Sequence, residues 1–165
     1  MLLVPTGVAP HKEIEEDPGA EARAEMARRA AEAGEGLEVS DLELRREGPS
    51  YSFETLAALR EERPRAELVW LMGADAALEL ESWRRPERIV ELAGLGIAER
   101  DGVDLAELEG VLSRLGADGA TRVEMPTIGI SSSLVRERAR AGRPFAHLVP
   151  DGVAELIARE GFYGG

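Results

Sequence analysis

Apolar and polar positions along the chain follow two rhythms. Met1–Val4 reads as a short buried strand, Glu67–Met72 (Glu-Leu-Val-Trp-Leu-Met) as the strongest buried strand and Leu95–Ala98 as a further strand. Leu37–Leu44 places Leu37 and Val39, then Leu42 and Leu44, in alternation and predicts a kinked strand; Arg122–Met125 predicts the last one. The helical rhythm predicts Ala20–Ala33, with Met26 and Ala30 on one face and Gly34 as its stop. It also predicts helices at Ser52–Glu62, Arg85–Leu92, Leu105–Leu115, Ser131–Ala141 and Asp151–Glu160. Pro5–Gly19 is a loop rich in proline and glycine. Strands alternating with helices predict an α/β domain with a parallel sheet. No internal repeat or low-complexity linker interrupts it, so residues 1–165 are expected to form a single domain.

Composition narrows the class. The 165 residues are 44% hydrophobic and 32% charged, a globular balance, and no apolar run approaches the roughly 20 residues that cross a bilayer. A membrane partner is therefore not expected. Cysteine is absent, which removes a disulfide framework and thiolate metal sites and makes the cytoplasm the default expectation. The net charge of −12 disfavours a nucleic-acid partner, which calls for a basic face. An acidic chain that binds phosphate must concentrate its positive charge locally, and Lys12 is its one lysine among twenty Lys and Arg residues.

Four clusters carry candidate chemistry. Pro10-His11-Lys12 follows the first strand, where a Lys point charge and a His donor can meet a phosphate; an exposed polar loop is the plainer alternative. Ser50-Tyr51-Ser52 with Thr55-Leu56 fits an ordinary helix start capped by Ser52. Gly73-Ala74-Asp75 follows the strongest strand: Gly73 admits a ligand to the backbone, Asp75 can accept from ribose hydroxyls, and Trp83 offers a flat face to an aromatic base. Asp75 as a helix cap and Trp83 as core remain open. Ser131-Ser132-Ser133 opens a helix whose free N–H groups suit phosphate, and Arg136 can curl back over the same anion; a serine cap with a solvated arginine is the alternative.

Order and spacing of these clusters resemble bacterial nicotinate-nucleotide adenylyltransferase over essentially the whole chain. Pro10-His11-Lys12 is similar to that family's Pro-Pro-His-Lys/Arg loop, with Ala9 for the first Pro. Leu71-Met72-Gly73-Ala74-Asp75 through Trp83-Arg84-Arg85-Pro86 resembles its Gly-x-Asp…Trp block, and Ile130–Arg136 its Ile-Ser-(Ser/Ala)-Thr-x-Ile-Arg motif. The tail from Leu148-Val149-Pro150-Asp151 to Gly161-Phe162-Tyr163 matches as well.

The resemblance implies a Rossmann-like nucleotidylyltransferase fold and adenylyl transfer from ATP to nicotinate mononucleotide, giving deamido-NAD and pyrophosphate. It implies that Ser131, Ser132, Ser133 and Arg136 hold the ATP phosphates, with Arg100 facing the same nucleotide. His11 and Lys12, with Arg136, would act at the reacting phosphates. Asp75 would hold ribose, Trp83 would stack on the nicotinate ring, and Gly73, Tyr51 and Ser52 would complete the acceptor side. No carboxylate cluster marks a dedicated metal cage, so Mg²⁺ is expected to arrive with ATP.

The family's opening Gly-Gly-Thr-Phe-Asp-Pro-x-His-x-Gly-His segment is not found here. The two histidines are His11 and His147, and His147 carries no catalytic expectation. About thirty residues, one strand-plus-helix unit, are expected upstream of Met1 in a longer gene product. Without that central strand, a gap is expected between the strands at Met1–Val4 and Leu68–Met72, with two unpaired inner edges that argue against a stable monomer of this chain alone; a homo-oligomer stands among the expected partners. A non-catalytic nucleotide-binding remnant and another adenylyltransferase, such as the phosphopantetheine enzyme, stand as alternatives.

Overall fold

The computed structural model describes residues 1–10, 17–99, 102–126 and 128–164. In chain order the elements are β1 (Leu2–Leu3), α1 (Ala20–Glu32), β2 (Glu38–Val39), α2 (Ser52–Glu62), β3 (Val69–Gly73), α3 (Ala74–Leu78), α4 (Pro86–Leu92), β4 (Gly94–Ala98), α5 (Leu105–Arg114), β5 (Thr121–Val123), α6 (Ser132–Arg140) and α7 (Asp151–Glu160), with 3₁₀ turns at Leu80–Ser82 and Ala146–Leu148. The α/β alternation expected from the hydrophobic rhythm is present, and the strand pairs are parallel. The described strands form two sheets rather than one, β1-β2 and β3-β4-β5. The chain divides into two compact units, Met1–Ser50 with Gly129–Gly165, and Tyr51–Ile128.

In the first unit, β1 pairs with β2 in the register Leu2↔Glu38 and Leu3↔Val39. Val135, Val153 and Ile157 are its buried apolar centre. Met26 and Ala30 of α1 pack against them, the face that their four-residue spacing predicts. Both residues of β1 are half-buried, where a buried strand was expected. The expected strand Leu37–Leu44 shrinks to Glu38–Val39. Polar groups take over from Ser40: its Oγ accepts from Leu42 N at 3.4 Å, and the Asp41 carbonyl accepts from Leu44 N at 3.0 Å. Such local bonds compete with a sheet ladder and fold the segment into a turn.

In the second unit, β4 is the central strand, and Trp70↔Leu95 and Met72↔Ile97 pair on the face that builds the core. The strongest expected strand starts later, at Val69, and is buried on one face only: Val69 and Leu71 are 57% and 51% exposed. Alternation in a strand makes that split unavoidable once a single face is covered. Asp104 caps α5, accepting from Ala106 N at 2.9 Å and Glu107 N at 3.2 Å. In the sequence a helix here is open only as the alternative in which Asp75 is its cap; α3 starts directly at the end of β3, with Gly73 as the N-cap. Arg85 leaves the helix predicted at Arg85–Leu92 and becomes its left-handed N-cap (φ 53), ahead of Pro86 at the first helical position, where proline's fixed φ is favourable.

Ile97 is 1% exposed in the central strand. Ile97→Ala is expected to destabilise the protein by about 2–5 kcal/mol, since the core closes only partly over a deleted side chain. Urea denaturation checks this, and a loss under about 1 kcal/mol would contradict Ile97's place in a close-packed core.

Candidate active site

In the first unit, the loop after β1 is fixed from three directions. Arg23 of α1 reaches it with one guanidinium nitrogen, Nη2, which donates to the carbonyls of Thr6 at 2.7 Å and Gly7 at 3.0 Å. Its other terminal nitrogen, Nη1, pairs with the Asp17 carboxylate. Ser50 N donates to the Val8 carbonyl at 2.8 Å. Gly7 lies so close to the turn after β2 that a Cβ would stand 2.5 Å from the Glu43 carbonyl, so any side chain there forces the loop away. The fixed loop leads to Pro10. His11 and Lys12, expected at the reacting phosphates, lie outside the described residues, as does Arg100.

Burial raises the Asp17 pKa, but the Arg23 hydrogen bond, the Gly19 N–H at 3.0 Å and the Arg23 charge outweigh it. The carboxyl is held below the usual aspartate range. Its charge is thus spent on Arg23, and the pair forms part of the wall of two cavities. One, about 910 Å³, runs along Leu3–Ala9. The other, about 360 Å³, is lined by Ser132 and Arg136 as well as Asp17 and Arg23.

At the start of α6, Ser131 is the N-cap and its Oγ accepts from Leu134 N at 3.1 Å. Ser132 and Ser133 follow, exposed, at the first helical positions, where backbone N–H groups lack intrahelical partners. Arg136 curls back toward them, with Nη2 donating to Ser133 Oγ at 3.1 Å. Three hydroxyls, unspent N–H groups and one guanidinium therefore converge on the same turn.

The second unit holds Tyr51, Ser52, Gly73, Asp75 and Trp83. Ser52 does not cap α2: Tyr51 is the N-cap, no side chain caps it, and Ser52 is the first helical residue. The Thr55 hydroxyl instead turns back to the Tyr51 carbonyl at 3.4 Å. Gly73 leaves room for a side chain: a Cβ there would meet Asp75 Oδ1, and the Asp75 carboxylate would have to move aside. Asp75 does not cap α3; it lies one residue inside, folded back over the strand end, and Gly73 is the N-cap. Trp83 is half-buried and packs against the unit's apolar core. Beside it, the Arg84 guanidinium lies 4.8 Å from the centre of the Tyr51 ring, and Tyr51 stacks on Phe53 at 6.2 Å.

Arg23 and Glu43 carry no signal in the sequence, and Ser50, which stands with Tyr51 and Ser52, has no role of its own there. Arg23 is one arginine of several on α1, and nothing in its spacing marks the two carbonyls it serves. Glu43 is 5% exposed although it alternates with Leu42 and Leu44, a pattern that places it in solvent. Ser50 Oγ is buried without a hydrogen-bond partner among the described residues. Among the described residues, no group of three or more His, Asp or Glu side chains could hold a metal ion, and no helix is long and apolar enough to cross a membrane.

An α/β protein with a serine-capped cationic helix start and an acidic turn at a strand end belongs among the nucleotide-handling folds. The chain matches the cytidylyltransferase-like family over residues 1–138. A Corynebacterium kroppenstedtii protein named "Probable nicotinate-nucleotide adenylyltransferase" is 40% identical over 99% of this chain and 76% of its own length. A Symbiobacterium thermophilum protein of the same name is 37% identical over 99% of this chain and 80% of its own. The chain therefore belongs to the nicotinate-nucleotide adenylyltransferase family. In fold it is similar to Plasmodium falciparum nicotinic acid mononucleotide adenylyltransferase. The structure complexed with NaAD aligns at a TM-score of 0.76 and that complexed with APC at 0.73, with 17% and 16% identity, each over 98% of this chain and 81% of the other.

The Asp17–Arg23 pair makes stability depend on pH. A carboxyl whose folded pKa is depressed contributes stability above its unfolded value, 3.8, and loses it as pH falls through the lower folded value. Asp17→Asn is expected to be less stable than the parent at neutral pH. The gap should close in strong acid, as followed by urea melts across pH. A gap unchanged down to about pH 2 would contradict the pairing.

Proposed function

We propose that this chain transfers the adenylyl group of ATP to nicotinate mononucleotide. A phosphate oxygen of the mononucleotide attacks the α-phosphorus of ATP. The bond from that phosphorus to the bridging oxygen breaks, and pyrophosphate leaves with the electron pair, giving nicotinate adenine dinucleotide. The observation that carries this reading is the 37–40% identity to relatives named as probable nicotinate-nucleotide adenylyltransferases over 99% of the chain, a span that takes in both the Gly73-Ala74-Asp75…Trp83 block and the serine helix. It favours the nicotinate acceptor over phosphopantetheine.

Nucleotidyl transfer asks a protein mainly to position its substrates and neutralise charge. Ser131, Ser132, Ser133 and Arg136 hold the ATP phosphates, supported by the convergence at the start of α6. Arg100 serves the same nucleotide. His11 and Lys12, following the loop that Arg23 fixes, act with Arg136 at the reacting phosphates. On the acceptor, Asp75 accepts from ribose, Trp83 stacks on the pyridine ring, and Gly73, Tyr51 and Ser52 complete the subsite. Mg²⁺ comes with ATP and would spread the negative charge of its phosphates. The acidic surface speaks against nucleic acid as a partner, and the cysteine-free composition favours the cytoplasm.

The test is product formation by the purified chain from Mg-ATP and nicotinate mononucleotide, with nicotinamide mononucleotide and phosphopantetheine as competing acceptors. Nicotinate adenine dinucleotide and pyrophosphate are expected in equal amounts. Asp75→Ala should lower kcat/KM by about 10- to 100-fold, the loss of a charged hydrogen bond. Failure to adenylylate any acceptor, or preference for phosphopantetheine, overturns the reading.

A further inference from the structure

One residue of the C-terminal turn has no part in the roles above. Tyr163 has φ 63; Arg85 is the other described non-glycine residue with positive φ. A left-handed backbone is costly for a bulky side chain and persists where its surroundings enforce it, which happens often at ligand sites. The ring packs beside Val135, Val153 and Ile157, and the residue lines the cavity of about 360 Å³ shared with Ser132 and Arg136. Burial raises its pKa, with Asp17 acting in the same direction and Arg136 and Arg23 opposing, so the phenol stays protonated at neutral pH and keeps a proton to donate. Arg136 forms no ion pair among the described residues, and Asp17, the carboxylate on the same cavity, is already neutralised by Arg23. Beside the apolar side chains of Pro18, Met26, Val149 and the buried centre, the wall carries the Arg136 guanidinium, a neutral phenol and the Ser132 hydroxyl, three donors that can meet a phosphate at the polar edge of the cavity.

We propose that Tyr163 is a further binding residue for the phosphate chain of ATP, its hydroxyl donating to a phosphate oxygen in the cavity that it lines with Ser132 and Arg136. The inference rests on the ATP role given to the serine helix under the proposed function. It differs from a packing role in a checkable way, because Tyr163→Phe keeps the ring and removes only the hydroxyl.

The experiment is calorimetric titration of Mg-ATP, and separately of Mg-pyrophosphate, into the full chain and into Tyr163→Phe, with a thermal melt of each. The variant should melt with the parent and bind both ligands on the order of tenfold more weakly, as expected for one lost hydrogen bond to a charged group. KM for nicotinate mononucleotide at saturating ATP should be unchanged. Equal affinities for parent and variant overturn the inference and leave the proposed function untouched. A parent that binds Mg-ATP but makes no dinucleotide contradicts the proposed reaction while the comparison at Tyr163 still decides this one. A parent that binds neither ligand overturns both.

Discussion

Two carbonyls and a carboxylate meet a single guanidinium at Arg23. Its nitrogens bond Thr6 and Gly7 on the loop after β1 and the Asp17 carboxylate ahead of α1. Hydrogen bonds to a charged group are stronger than neutral ones, so this fork ties down a loop that is rich in proline and glycine. A lysine could not replace it, because one ammonium cannot span the planar fork. Arg23 and Asp17 line the cavities of about 910 Å³ and about 360 Å³, so the loop leading to Pro10 and the cavity beside the serine helix are registered to the same helix, α1.

The second unit shows a different device, the absence of a side chain. At Gly73 the missing Cβ leaves room for the Asp75 carboxylate to fold over the end of β3. The parallel pairing of β3 with β4 fixes where that strand end lies. Tyr51, ahead of α2, contacts both the Arg84 guanidinium and the Phe53 ring. Backbone pairing, a glycine and two π contacts thus set the residues given to the acceptor.

Features set by local chemistry were legible in the sequence. Helices α1, α2, α5 and α7 match their apolar spacing and stop signals to within a residue or two, and Ser131, expected inside α6, is its N-cap, as the plainer alternative for the serine cluster has it. Arg136 turns back onto Ser133, a geometry fixed by helical spacing alone. What required tertiary information was hidden. The burial of Glu43 contradicts its own alternation, because Ser40 and Asp41 end the strand before it. The short helix α3 has too few residues for a periodic signal. Arg23 and Tyr163 take their meaning from groups far away in the chain, and a single sequence carries no trace of those distances. The family motifs pointed to substrates that spacing alone would have left open.

The central claim is that the two substrates are held by separate sets of residues, ATP by the serine helix and the mononucleotide by the Gly73–Trp83 block. Backbone and indole NMR shifts, recorded on adding each ligand alone, test it most directly. The account predicts that Mg-ATP moves the amides of Ser132, Ser133 and Arg136, and that nicotinate mononucleotide moves those of Gly73 and Asp75 together with the Trp83 indole. Mg-ATP that shifts Gly73, Asp75 and Trp83 while leaving Ser131–Arg136 unmoved would contradict it.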